Sequence, residues 1–191
     1  MKLRNLLLIA GLLSAGSSAA LAMGSASIAP VSYYPGYTPT VLNYAASQGG
    51  MLTVVMGNPF EQADASSVES EITAVMARSH FGPRLPFITT APEGFASPYR
   101  VVVLLDSARH ITPYKVCGDY SGEPEATGRA TIHVQTVLCA NDKPLSSATA
   151  RVSGVTSPSD PKFRQLIGQM SILLFPPRSE SGPRRNGDLF L

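Results

Sequence analysis

The sequence predicts an α+β domain in two layers: a mixed four-stranded sheet, in the order β-α-β-β-β-α, with two amphipathic helices on one face. Three observations carry this. Residues 101–105 read Val-Val-Val-Leu-Leu, a continuous apolar run too short for a buried helix and rich in branched side chains that suit an extended backbone. Residues 129–139 alternate, with Ala130, Ile132, Val134, Thr136 and Leu138 on one side and Thr131, His133 and Gln135 on the other, as a half-buried strand requires. Two further segments repeat apolar residues at helical spacing: Val68, Ile72, Val75 and Met76, then Phe163, Leu166, Ile167, Met170, Leu173 and Leu174.

In chain order, Met51-Leu52-Thr53-Val54-Val55-Met56 reads as the first strand, stopped by Gly57-Asn58-Pro59-Phe60. The first helix is expected to start with a capping box, Ser66 at the N-cap and Glu69 three residues on, and to end near His80. Residues 84–90 read as a short extended piece. The strand at 99–106 follows, and strand–helix–strand order predicts that it runs parallel to the first. Because 101–105 is apolar on both faces, it is expected at the centre of the sheet. Residues 107–128 read as a long irregular loop. Asn141-Asp142-Lys143-Pro144 is a turn, and residues 146–155 are expected to return as a weaker, polar edge strand. Asp160 and Pro161 start the last helix as N-cap and first helical residue. Gly168 inside it costs about 1 kcal/mol relative to Ala. Pro176-Pro177 ends it.

The ends differ in composition. Lys2 and Arg4 precede the apolar stretch Leu6-Leu7-Leu8-Ile9-Ala10-Gly11-Leu12-Leu13, and Ala20-Leu21-Ala22 follows as a small-residue cleavage site. This is the pattern of a secretory signal peptide at residues 1–22, with an uncleaved membrane tether as its alternative. Residues 23–40 read as a flexible Tyr/Pro-rich linker, 41–177 as a single α+β domain and 178–191 as a disordered C-terminal tail. The chain has 15 basic and 13 acidic side chains among its 191 residues. Loss of Lys2 and Arg4 with the signal leaves 13 of each. A neutral domain argues against nucleic acid or an anionic membrane surface as its partner, and no integral membrane segment is expected after cleavage. In an exported chain the two cysteines, Cys117 and Cys139, are expected to form one disulfide that staples the long loop.

Chemical leads are few. The histidines are His80, His110 and His133. None has a metal-ligand spacing, and no cofactor or metal is expected. The sequence has no G-x-S-x-G, G-x-G-x-x-G or P-loop motif. Asp106 ends the central strand with His110 four residues on. Ligands in open sheets often bind beyond the carboxyl ends of parallel strands, so Asp106 and His110 are the weak candidates for a carboxylate–imidazole pair. The competing reading is a polar strand end with Asp106 capping a turn.

The Gly57-Asn58-Pro59-Phe60 turn, the Cys139 strand end followed by Lys143-Pro144-Leu145-Ser146, and the Ser157-Pro158-Ser159-Asp160-Pro161 helix start resemble a group of small exported proteins of Gram-negative bacteria that has no assigned activity. The resemblance spans roughly residues 40–177. It implies export and a compact α+β domain, and it transfers no catalytic residue.

The expected function is an exported, periplasmic or secreted, non-catalytic binding or cell-envelope accessory protein, with another envelope protein as partner. The alternative is a small periplasmic hydrolase or metal-dependent enzyme using Asp106 and His110. One structural question accompanies both. The strand at 129–139 is polar on its second face, while its neighbour at 99–106 is apolar there. That apolar half must be covered by the long loop, by the Tyr-rich segment or by a partner.

Overall fold

The computed structural model describes residues 26–106, 111–118, 120 and 130–177. The signal segment 1–22, the tail 178–191 and His110 lie outside the described residues.

The five-aliphatic run forms β5 (Tyr99–Leu105), buried from Val101 through Leu105. It pairs in parallel with β3 (Met51–Met56) on one side and antiparallel with β6 (Thr131–Ala140) on the other. β6 turns through Asn141 and Asp142 into β7 (Lys143–Ser153), with Ala140 opposite Lys143. Asn141 has φ of 52°, the left-handed region that asparagine tolerates in a two-residue hairpin. The register slips by one residue after Leu138, which pairs with Ser146 while Cys139 pairs with Pro144. Such a bulge lets a proline sit beside a ladder to which it cannot donate.

These four strands, with α2 (Ala65–Arg78) and α4 (Pro161–Leu174), reproduce the expected β-α-β-β-β-α order. The mixed α+β class holds, but the sheet is larger than four strands. Among the described residues it has seven: β1 (Ala26–Ile28) and β2 (Ser32–Tyr33) both pair with β7, and β4 (Phe87–Ile88) pairs with β3. Two short helices are added, α1 (Thr40–Ser47) and α3 (Pro113–Cys117). β7 is therefore not an edge strand, since the chain's own N-terminal segment lies along it. The N-cap of α2 is Asp64 rather than Ser66, and its carboxylate accepts the Ser67 N–H at 2.6 Å.

The stretch expected as a linker is part of the domain from Ala26 onward. Tyr37 is only 2% exposed. Its hydroxyl donates to Pro176 O at 2.8 Å, and the Tyr33 hydroxyl donates to Leu173 O at 2.9 Å. The buried Ser146 hydroxyl donates to Leu174 O at 2.8 Å. A helix leaves its last carbonyls without intrahelical partners; Tyr33 and Ser146 satisfy two of them at the end of α4, and Tyr37 holds the Pro176 carbonyl just beyond it. The tyrosines thus clamp the last helix, a role that a Tyr/Pro-rich composition does not announce.

The main core lies between the sheet and helices α1, α2 and α4, around Val101, Val103, Leu105, Ile72, Met76, Leu166 and Met170. Gly168 belongs to the contact between α2 and α4: a Cβ there would stand 3.0 Å from Ser79 Oγ. The Arg164–Glu71 ion pair, 2.9 Å across the same two helices, has its arginine 45% exposed and adds little.

On the opposite face, a smaller cluster of Val102, Leu104, Val116, Cys117, Val137 and Cys139 answers the question of the cover. The segment around α3 lies over the apolar half, and the Cys117–Cys139 disulfide fastens it to β6. Arg100 of β5 donates to Cys117 O, and the Gln135 side-chain amide holds the Ile111 backbone at both its N–H and its carbonyl. Among the described residues, the two helices expected on one face become three there, and α3 lies on the other.

Candidate functional site

Where α3 stops, the second face is open among the described residues. Strand alternation brings His133 and Gln135 of β6, Thr149 and Arg151 of β7 and Ser27 of β1 to that face. Register sets them in rows. Arg151 pairs opposite His133 and also opposite Ser27, and Thr149 pairs opposite Gln135. A groove of about 460 Å³ runs over Ser27 and Ile28 of β1 with Ala29 just past it, over His133, Val134 and Gln135, and over Thr149, Ala150 and Arg151. Its floor is sheet and its walls are the polar side chains. The Arg151 guanidinium donates from Nε to Ser27 Oγ at 3.0 Å. Gln135 is buried and committed to Ile111, so it forms the fixed wall toward α3.

Asp106 stands one strand further on. Its N–H donates to His133 O at 2.8 Å, and its Oδ1 accepts the His133 N–H at 2.9 Å. Its φ is 50°. The residue is 3% exposed, and Oδ2 is buried with no hydrogen-bond partner among the described residues. Asp106 thus extends the β5–β6 ladder past the last strand residue, in the manner of the turn-capping reading. Its proposed partner His110 lies outside the described residues, so the pair is not brought together by what is described.

His80 lies elsewhere, just past the end of α2, with its ring against Phe87 and Phe175 at centroid distances of 5.6 and 6.4 Å. Both ring nitrogens are buried without a well-formed hydrogen bond among the described residues. Burial lowers its pKa, and the nearby Phe81 and Leu85 backbone groups offset part of that shift. A hollow of about 630 Å³ beside it is lined by Arg78, Arg84 and the loop to Pro86. Cations at this place complement the negative end of α2, which is reason enough for their presence. Among the described residues, no three His, Cys, Asp or Glu side chains converge as a metal site.

Sequence reasoning placed His133 and Gln135 on the polar face and missed Ser27, Thr149 and Arg151. The alternation of Thr149 and Arg151 with Ala148, Ala150 and Val152 was the available signal. Only the β6–β7 and β1–β7 registers show that all five meet.

The fold and groove define an α+β domain with a mixed sheet and an open polar surface on the face opposite its main helices. No family model matches the chain, and no curated protein matches it. Among solved structures, a PelC dodecamer from Paraburkholderia phytofirmans is 19% identical, with 80% of this chain and 98% of that chain covered and a TM-score of 0.43. A point variant of the same PelC dodecamer gives 20% identity, the same coverage and a TM-score of 0.43. Likeness at this level carries no functional argument. Among the described residues, no helix is long and apolar enough to cross a membrane.

Proposed function

We propose that this chain is an exported binding module, an accessory protein of the cell envelope, whose recognition surface is the groove across β1, β7 and β6. The resemblance to small exported proteins of Gram-negative bacteria and the secretory pattern of residues 1–22 support export, and the disulfide is compatible with an oxidising compartment. The observation that carries the reading is the division of the sheet's second face. A stapled helix covers the apolar half, while among the described residues the polar half is left open over three strands. Within the groove, Ser27 Oγ is held by a guanidinium, which is no base, and Gln135 is occupied by Ile111.

The test is capture from envelope extract with the tagged chain, its T149W variant and the distal K162A variant on α4. Thr149 is half-buried and lines the groove, so tryptophan there fills it. The native chain and K162A are expected to recover the same protein, and T149W is expected to lose it. Recovery unchanged by T149W, or substrate turnover by the purified chain, overturns the reading.

A further inference from the structure

We propose that the groove binds an oxyanion, a carboxylate or a phosphate group, gripped by the Arg151 guanidinium with His133 and the hydroxyls of Ser27 and Thr149 around it. This rests on the groove being a recognition surface, and it names the chemistry recognised there.

The first argument is charge. Among the described residues that line the groove, every polar side chain is neutral or basic. Among the described residues, no carboxylate forms an ion pair with Arg151. The nearest acidic group in the register is Asp106, on the far side of His133. It is 3% exposed, its Oδ1 is taken by the His133 N–H, and it does not line the groove.

The second argument is preorganisation. The Nε–Ser27 bond restrains the guanidinium at one of its donor positions. Among the described residues no hydrogen bond engages the two terminal nitrogens, which form a fork whose geometry matches carboxylate and phosphate oxygens. A side chain already held in place loses less entropy when it binds.

The third argument is cross-strand placement. Arg151 pairs directly opposite His133, and both are exposed. Side chains directly opposite each other across a strand pair lie close enough for one anion to be contacted by both. A groove of about 460 Å³ is within the range that holds a small ligand, roughly 300–1,000 Å³.

The experiment is an NMR titration of the intact chain with sodium acetate and, separately, sodium phosphate, at ionic strength held constant with sodium chloride. The signals followed are Arg151 Nε–H, the His133 ring and the amides of Ser27 and Thr149. Saturable shifts at these positions are expected with at least one anion, and the R151Q variant is expected to bind it at least tenfold more weakly. Saturation by phosphate alone assigns a phosphate ligand, and saturation by acetate alone assigns a carboxylate. Arg151 is exposed, and the remaining amide spectrum of R151Q reports that the fold is kept. Non-saturating shifts with both anions overturn the proposal, as does equal saturation in R151Q. If T149W still abolishes partner capture while neither anion saturates, the binding module stands and the oxyanion falls. If an anion saturates through Arg151 while capture is insensitive to T149W, the oxyanion stands and the envelope-partner reading falls.

Discussion

Asp106 and His133 bond to each other twice at the end of the sheet: the Asp106 N–H reaches His133 O at 2.8 Å, and the His133 N–H reaches Asp106 Oδ1 at 2.9 Å. The carboxylate that looked most like chemistry is therefore a piece of the ladder. Substituting alanine leaves the His133 N–H without its acceptor and places a Cβ-only side chain at φ of 50°. D106A should lose about 1–3 kcal/mol. Asparagine keeps the acceptor, tolerates positive φ and replaces an Oδ2 that is buried with no hydrogen-bond partner among the described residues. Urea midpoints should therefore place D106N at or above the native chain and well above D106A.

The Cys117–Cys139 bond closes a loop with a sequence separation of 22. Reduction, or the double substitution to alanine, should cost about 3 kcal/mol in the chain-entropy description. The loss should be local as well as global. Once α3 loosens, Val102, Leu104 and Val137 lose their cover. Hydrogen exchange at β5 and β6 should rise before the chain unfolds, while α2 and α4 remain protected.

Gly168 is best tested against Ser79. Alanine in a helix interior is favoured over glycine by about 1 kcal/mol, yet the new Cβ would lie 3.0 Å from Ser79 Oγ. G168A alone should therefore be neutral or destabilising. Removing the hydroxyl leaves Ser79 Cβ at 3.5 Å, an ordinary contact. In a double-mutant cycle read by thermal or urea unfolding, S79A/G168A should exceed the sum of the two single changes.

Two groups shape stability at the two ends of the pH scale. Burial, with a smaller contribution from Tyr33, raises the Tyr37 pKa. The unfolded phenol releases its proton from about pH 10 while the folded one retains it, so stability is present below that pH and falls as pH rises above it. Y37F should remove this alkaline slope, at the expense of the bond to Pro176 O. Burial lowers the His80 pKa. Below about pH 6.5 the unfolded state therefore binds more protons, and stability falls as pH drops. H80F, which keeps an aromatic ring against Phe87 and Phe175, should flatten the acid side. Unfolding free energies measured from pH 5 to 11 check both signs.

Much of the frame was legible from periodicity. The order β3-α2-β5-β6-β7-α4, the parallel β3–β5 pair and the disulfide all follow from patterns within single segments or from a count of two cysteines. The elements that were missed are short or irregular. β1 and β2 span two or three residues each, too few for alternation to register, whereas β4 falls within the extended piece expected at 84–90. α3 is five residues inside a stretch dominated by loop composition. Tyr33 and Tyr37 read as linker because their value lies in carbonyls about 140 residues away in the chain.

By itself, the sequence determined that β5 is buried on both faces and that β6 is polar on one, because side-chain alternation is a property of a single strand. The tertiary structure decided what covers the apolar half and what the polar half becomes. Pairing register alone sets Arg151 beside both His133 and Ser27, and the fold alone lays α3 over Val102 and Leu104. The physical reason is that a groove is made by neighbours across strands, and hydrogen-bond register between distant segments leaves no trace in the local pattern of either.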